Sequence, residues 1–280
     1  DGVDIQDALN QIKTEPDIIF PDDLPLLWVH RRLNDTDIYF ISNQSENKLK
    51  FDATFRVNGK QPEFWDPING NIRDLEVFSK KKSGTKISLE LPPQGSAFIV
   101  FRKPVRYREE IGDNFPLPTK IVKVEKPWQV TFDKIKDGSK TPIYMADLKD
   151  WTDFEEEQIR YYSGQASYKN SFYLNNISPE YQFFINLGKV NVMAEVKVNG
   201  VVAGGVWTDP WKLNITNLVK AGNNTIEINV VNNWINRLIG DTKLPTEKRT
   251  TWVNENPAKP TDSLQPSGLA GPVAIEIIKY

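Results

Sequence analysis

From about residue 26 onward the apolar side chains of this 280-residue chain recur at every second position, and no helical period runs between them. That constrains the fold more than any other feature of the sequence. Successive side chains of a strand point to opposite faces, so a period of two reads as a strand buried on one side. Residues 37–42 have this pattern, Ala53, Phe55 and Val57 alternate with Thr54 and Arg56, and Ile87, Leu89 and Leu91 repeat it. Residues 96–101 are apolar on both faces, as a central strand requires. Further strands are expected at 129–133, 167–172, 182–187, 195–198, 226–230 and 273–277. Tight turns are expected at Asn58-Gly59, Asn69-Gly70, 92–95, Asp137-Gly138 and Asn199-Gly200, where Asn and Gly tolerate the positive φ a hairpin demands. Trp65, just before Asp66 and Pro67, reads as a core residue at a turn.

The fold class predicted is all-β, two antiparallel β-sandwiches in tandem with a short N-terminal helix. Ile5, Ala8, Leu9 and Ile12 fall at helical spacing with Asp4 as a cap, so 1–21 is taken as that helix, the remnant of a preceding domain or a segment folded back on the sandwich. The first sandwich is placed at 22–104. Residues 105–124 read as a linker, with mixed charge and Pro116 and Pro118. A jelly roll is placed at 125–280.

Composition removes several function classes. Without cysteine there are no disulfides, thiol nucleophiles or thiolate metal sites. A single histidine, His30, argues against histidine-ligated zinc, and nothing beside it resembles a nucleophile elbow, so a structural hydrogen bond is its expected role. No loop has the regular oxygen spacing of a calcium motif, so no cofactor is predicted. The 35 basic and 37 acidic residues are interspersed, which argues against nucleic acid. No apolar run reaches membrane-spanning length. The chain opens on Asp1 without a leader, as a mature or trimmed polypeptide would. The 8 Trp, 9 Tyr and 14 Phe suit both sandwich cores and sugar-stacking platforms.

With no cysteine and one histidine, chemistry would fall to carboxylates, which can work in pairs as acid and base. Asp209, Asp241 and the run 155–157 are the candidates, but Asp209 suits a turn and the Glu run a solvated face, so no catalytic residue is assigned. Candidate binding residues lie in two segments. Trp207, Asp209 and Trp211 sit in one loop, where the two rings either face a sugar or pack under the sandwich. Asn232, Trp234, Asn236, Arg237 and Asp241 follow a strand, where their polar groups either meet sugar hydroxyls or staple a long loop through an Arg237–Asp241 ion pair.

Five segments in order, 162–168, 197–200, 207–216, 221–225 and 267–272, resemble the sugar-binding jelly roll of β-galactosidase-family hydrolases, which makes the second sandwich galactose-binding-like. Across nearly the whole chain, the segments 28–32, 37–43, 55–62, 64–67, 95–102, 150–151, 159–164 and 236–241 resemble the C-terminal region of family 106 glycoside hydrolases, the α-L-rhamnosidase-like enzymes. That resemblance implies a catalytic barrel N-terminal to Asp1 as partner, a parent that degrades plant polysaccharide, and a periplasmic or secreted location. It transfers no catalytic residue onto this chain.

Three readings follow. A scaffold supporting the barrel predicts an exposed apolar patch and no sugar affinity. A carbohydrate-binding module predicts exposed, roughly coplanar Trp rings near Trp207, Trp211 or Trp234. A self-sufficient hydrolase predicts two facing carboxylates in a pocket.

Overall fold

In the computed structural model, residues 4–12, 14–105, 112–125, 127–133 and 142–279 are described. The expected turn at Asp137-Gly138 lies outside them. The chain divides into two compact units, Asp1–Pro116 and Leu117–Tyr280.

The first unit opens with helix α1 (Ile5–Gln11), where Ala8 N donates to Asp4 O at 3.0 Å. Strands follow: β1 (Ile18–Ile19), β2 (Leu26–Leu33), β3 (Thr36–Asn43), β4 (Leu49–Phe55), β5 (Lys60–Trp65), β6 (Ile72–Asp74), β7 (Ser79–Lys81), β8 (Gly84–Leu91) and β9 (Ser96–Pro104). A five-stranded antiparallel sheet runs β2-β3-β9-β5-β6, and a four-stranded one β1-β4-β8-β7. One core joins them. Tyr39, Ile41, Ala97, Ile99 and Phe101 meet Phe51, Ala53, Phe55, Ile87, Leu89 and Leu91. Each buried Ile, Leu or Phe contributes about 1.5–3 kcal/mol. β9 lies between β3 and β5 as an interior strand of its sheet, and its Phe98 packs beside Phe40 of β3.

His30 is held between Asp17 (3.3 Å) and Asp37 (3.2 Å) and stacks on Tyr39, ring centroids 4.1 Å apart. Its role is to tie β2 to β3 and to the chain before β1. Glu63 is 1% exposed and takes Arg102 at 2.7 Å and Lys103 at 2.8 Å. Burial alone would raise its pKa, but these two cations hold it below the ordinary glutamate range.

Several expectations are corrected here. Asn58-Gly59 closes no hairpin: β4 pairs with β8 and β5 with β9, so the turn carries the chain from one sheet to the other. Residues 92–95 do the same between β8 and β9. Trp65 is half-exposed, with the Arg102 guanidinium 5.0 Å above its ring, and is not a core residue. The described part of the 105–124 segment is built into the units. Asn114 holds both backbone groups of Val77, its Oδ1 accepting at 3.0 Å and its Nδ2 donating at 2.6 Å. Phe115 packs on Phe64, and residues 120–123 form a strand.

The second unit contains β10 (Lys120–Lys123), β11 (Trp128–Phe132), β12 (Ile143–Met145), β13 (Gln165–Leu174), β14 (Tyr181–Asn186), β15 (Lys189–Asn191), β16 (Met193–Val198), β17 (Val201–Val206), β18 (Lys212–Asn214), β19 (Gly222–Val231), β20 (Gly268–Gly271) and β21 (Ala274–Lys279). Two short helices interrupt them, α2 (Glu157–Arg160) and α3 (Ile235–Thr242). A six-stranded antiparallel sheet, β12-β11-β13-β19-β16-β17, packs on a four-stranded one, β10-β21-β14-β18, as a jelly roll. Val130, Tyr168, Val196, Ile226 and Ile228 from the first meet Phe183, Ile185, Leu213 and Ile275 from the second. Asn199 and Gly200 both have positive φ (52° and 83°) and turn β16 into β17 as a true hairpin.

Candidate functional site

The loops at one end of the jelly roll are organised by a few buried polar groups. Trp151 is fully buried, edge-on to Phe132 (5.2 Å between centroids) and Tyr162 (5.5 Å), and its Nε1 donates to Tyr168 Oη at 2.5 Å. Burial pushes the Tyr168 hydroxyl pKa up to about 12, so it stays protonated. Asp150 Oδ1 accepts from Thr152 N at 2.9 Å and Ser267 N at 3.0 Å, which ties the start of the loops to their end. Gly268, at φ +87°, runs so close to Trp151 that a Cβ would lie 2.3 Å from the indole nitrogen.

Ser267 is the hub of this end. Its Oγ accepts from Asn232 Nδ2 at 3.1 Å and Asn236 Nδ2 at 3.0 Å. Asn232 also donates to Tyr162 O at 2.8 Å and accepts from Gly164 N at 3.0 Å. Asn236 donates to Gln265 O at 2.7 Å and accepts from Gln265 N at 2.8 Å. Both amides are buried and engaged on both ends, so they staple loops.

The segment 232–241 is not an open loop. From Ile235 on it folds into α3, because Ile235, Leu238 and Ile239 sit three and four apart and pack with Tyr161, Ala258 and Leu264 into a small satellite core. Gly240 lets the helix press on Tyr161, where a Cβ would lie 2.8 Å from the ring. Asp241, at the buried end of α3, accepts from Thr250 N (3.1 Å) and Oγ1 (3.2 Å) and from Thr251 N (2.8 Å) and Oγ1 (2.5 Å). Burial alone would raise its pKa, but these donors hold it below the ordinary aspartate range. It therefore staples the strap after α3. The Arg237–Asp241 ion pair expected from the sequence is not formed: Asp241 is held by threonines, and among the described residues Arg237 makes no ion pair within 4.0 Å.

The Trp207 loop splits between its two expected roles. Trp207 is 54% exposed, whereas Trp211 is half-buried against the jelly-roll core, and its carbonyl accepts from Leu187 N at 2.8 Å. Asp209 is exposed. Trp234 is 64% exposed at the start of α3. Sequence reading missed Trp252, which is 87% exposed in the strap. It also missed a cleft of about 550 Å³ whose lining brings Arg237 together with Tyr161, Lys243 and Thr250. The signal for the helix was present in the spacing of Ile235, Leu238 and Ile239; no local pattern marks Lys243 or Thr250 as neighbours of Arg237. Among the described residues, no group of three or more His, Asp or Glu is placed to hold a metal ion, and no helix is long and apolar enough to cross a membrane.

This succession of an antiparallel sandwich and a jelly roll is shared with a solved glycoside hydrolase. Residues 1–79 match the model of glycoside hydrolase family 106, described as alpha-L-rhamnosidase. A rhamnosidase from Novosphingobium sp. PP1Y superposes with a TM-score of 0.89 at 32% identity, over 98% of this chain and 26% of that one. A Formosa agariphila protein, provisionally named beta-glucuronidase, is 36% identical over 157 residues, 47% of this chain and 14% of that protein. The chain thus spans about a quarter of the length of the solved relative and less of the curated one. It is a segment similar to α-L-rhamnosidase-type glycoside hydrolases.

Proposed function

We propose that this chain is a non-catalytic β module of a rhamnosidase-type glycoside hydrolase, which supports a catalytic barrel in the same parent protein. The parent would act on plant polysaccharide in the periplasm or outside the cell. The observation that carries this reading is β2, an edge strand of eight residues. Its Leu27, Trp28, Val29 and Leu33 are exposed on both faces of the sheet. An edge strand with exposed apolar residues and unpaired backbone groups is an aggregation hazard unless another chain segment covers it. Ile5, Leu9 and Ile12 of α1 and the turn after it are likewise exposed.

The test is to mix the chain with the separately produced barrel of a family 106 enzyme. Binding that is lost in the double variant Leu27→Lys and Val29→Lys supports docking through β2. Unchanged binding, or turnover of a chromogenic rhamnoside by the chain alone, overturns the reading. The exposure of Trp207 and Trp234 favours a second reading, in which loops of the jelly roll also touch sugar.

A further inference from the structure

Against the second unit's other half-buried or buried charges, Arg237 is anomalous. Glu276 is paired with Lys212 and held by Asn186, and Asp241 has its threonine donors. Arg237 is half-buried, yet among the described residues it donates no hydrogen bond and makes no ion pair within 4.0 Å. Burial lowers its pKa, against a Coulomb attraction from Asp241 that acts beyond ion-pair distance. A guanidinium withdrawn from water with its donor fork unfilled is destabilising until an anion meets it.

What it borders is the cleft of about 550 Å³, a volume within the common range of about 300–1,000 Å³ for small-molecule sites. A second cation stands in the same wall. Lys243 Nζ is fixed by Tyr161 Oη at 2.8 Å and lies 5.1 Å from the centroid of that ring. The other lining groups suit hydroxyls: Thr250, and the exposed carboxylates of Glu156 and Glu157, which accept hydrogen bonds. Two cations on the wall with acceptors on the rim match a ligand that bears one carboxylate and several hydroxyls. Arg–carboxylate pairs are commonly bidentate, so Arg237 would set the ligand's orientation as well as its affinity.

We propose that this cleft is a subsite for a carboxylate-bearing sugar, a uronic acid unit of an acidic oligosaccharide, anchored by Arg237 and Lys243. The inference rests on the reading that the jelly-roll loops touch sugar, and it names the class of sugar.

The experiment is a titration of the 280-residue chain, followed by calorimetry and Trp fluorescence, with D-galacturonate, D-glucuronate and their short oligomers, and in parallel with neutral L-rhamnose. The result expected is saturable uronate binding that weakens with added salt. It should fall at least tenfold in Arg237→Met, be partly restored in Arg237→Lys, and fall at least threefold in Lys243→Gln, whose exposed position leaves folding intact. Equal binding of rhamnose and uronates, or uronate binding untouched by Lys243→Gln and Arg237→Met, overturns the carboxylate subsite and leaves sugar contact standing. A flat titration with every sugar overturns both. If Arg237→Met does not fold, Lys243→Gln and the salt dependence decide the question.

Discussion

Ser267 Oγ receives two buried amides, and Asp241 receives four donors from two threonines. Removing the shared acceptor leaves donors of Asn232 and Asn236 unpaired in the interior. Ser267→Ala is therefore expected to destabilise the second unit by about 1–3 kcal/mol, read by urea unfolding. Gly268→Ala faces both a positive φ and a Cβ 2.3 Å from Trp151 Nε1, and is expected to lose about 2–4 kcal/mol. The pH dependence of Asp241 follows from its lowered pKa. The folded form binds its proton less readily than the unfolded one. Its stabilisation is therefore whole above the ordinary aspartate value of 3.8 and is lost as pH falls through the folded value. Melting temperature followed downward from neutral pH should drop more steeply in that acid window for the native chain than for Asp241→Asn, which keeps the shape and lacks the titration.

At the scale of elements, one dipeptide serves two different purposes. Asn199-Gly200 joins paired strands, with both residues at positive φ. Asn58-Gly59 has only Gly59 in that region (φ 73°) and joins strands of different sheets. Gly200→Ala should cost about 1–2 kcal/mol, because a new Cβ meets positive φ there. Asn199→Ala would instead lose the bonds its Nδ2 donates to Leu218 O and Asn224 Oδ1 and the one its Oδ1 accepts from Thr225 N; denaturant midpoints would show both. The pattern of the strands themselves was legible. β3, β4, β8, β13 and β19 alternate in sequence as they do in burial, because side chains on a strand face core and solvent in turn. α3 carried a signal in the spacing of Ile235, Leu238 and Ile239, but over only eight residues and after an Asn-rich run that reads as a loop. β10 was obscured by prolines and charge, and forms because β21 offers its edge: Ile121 pairs with Glu276 and Val122 with Ile275.

For the molecule as a whole, the arrangement of apolar surface distinguishes support from simple display. β2 has apolar residues on both faces at a sheet edge, so the isolated chain is expected to self-associate at high concentration. Leu27→Lys with Val29→Lys should suppress this without loss of stability, because both side chains are already exposed. Light scattering against concentration, with the melting temperature as control, checks it. A mutant that remains as associated as the native chain would leave β2 with no role in contacts between molecules.

The sequence by itself determined the all-β class, most strands, and the likeness to rhamnosidase-type hydrolases, since alternation and turn residues are local properties written into neighbouring positions. It also singled out the polar residues 232–241. Only the tertiary structure decided what those residues do. Asn232 and Asn236 are spent on Ser267 and Gln265, more than 25 positions along the chain, and Asp241 on a strap that folds back. Arg237 is left facing a cleft part of whose lining, Glu156, Glu157, Gln158 and Tyr161, comes from residues about 80 positions earlier. Hydrogen-bond partners and clefts depend on which distant segments the packing brings together, and no local pattern of residues encodes that.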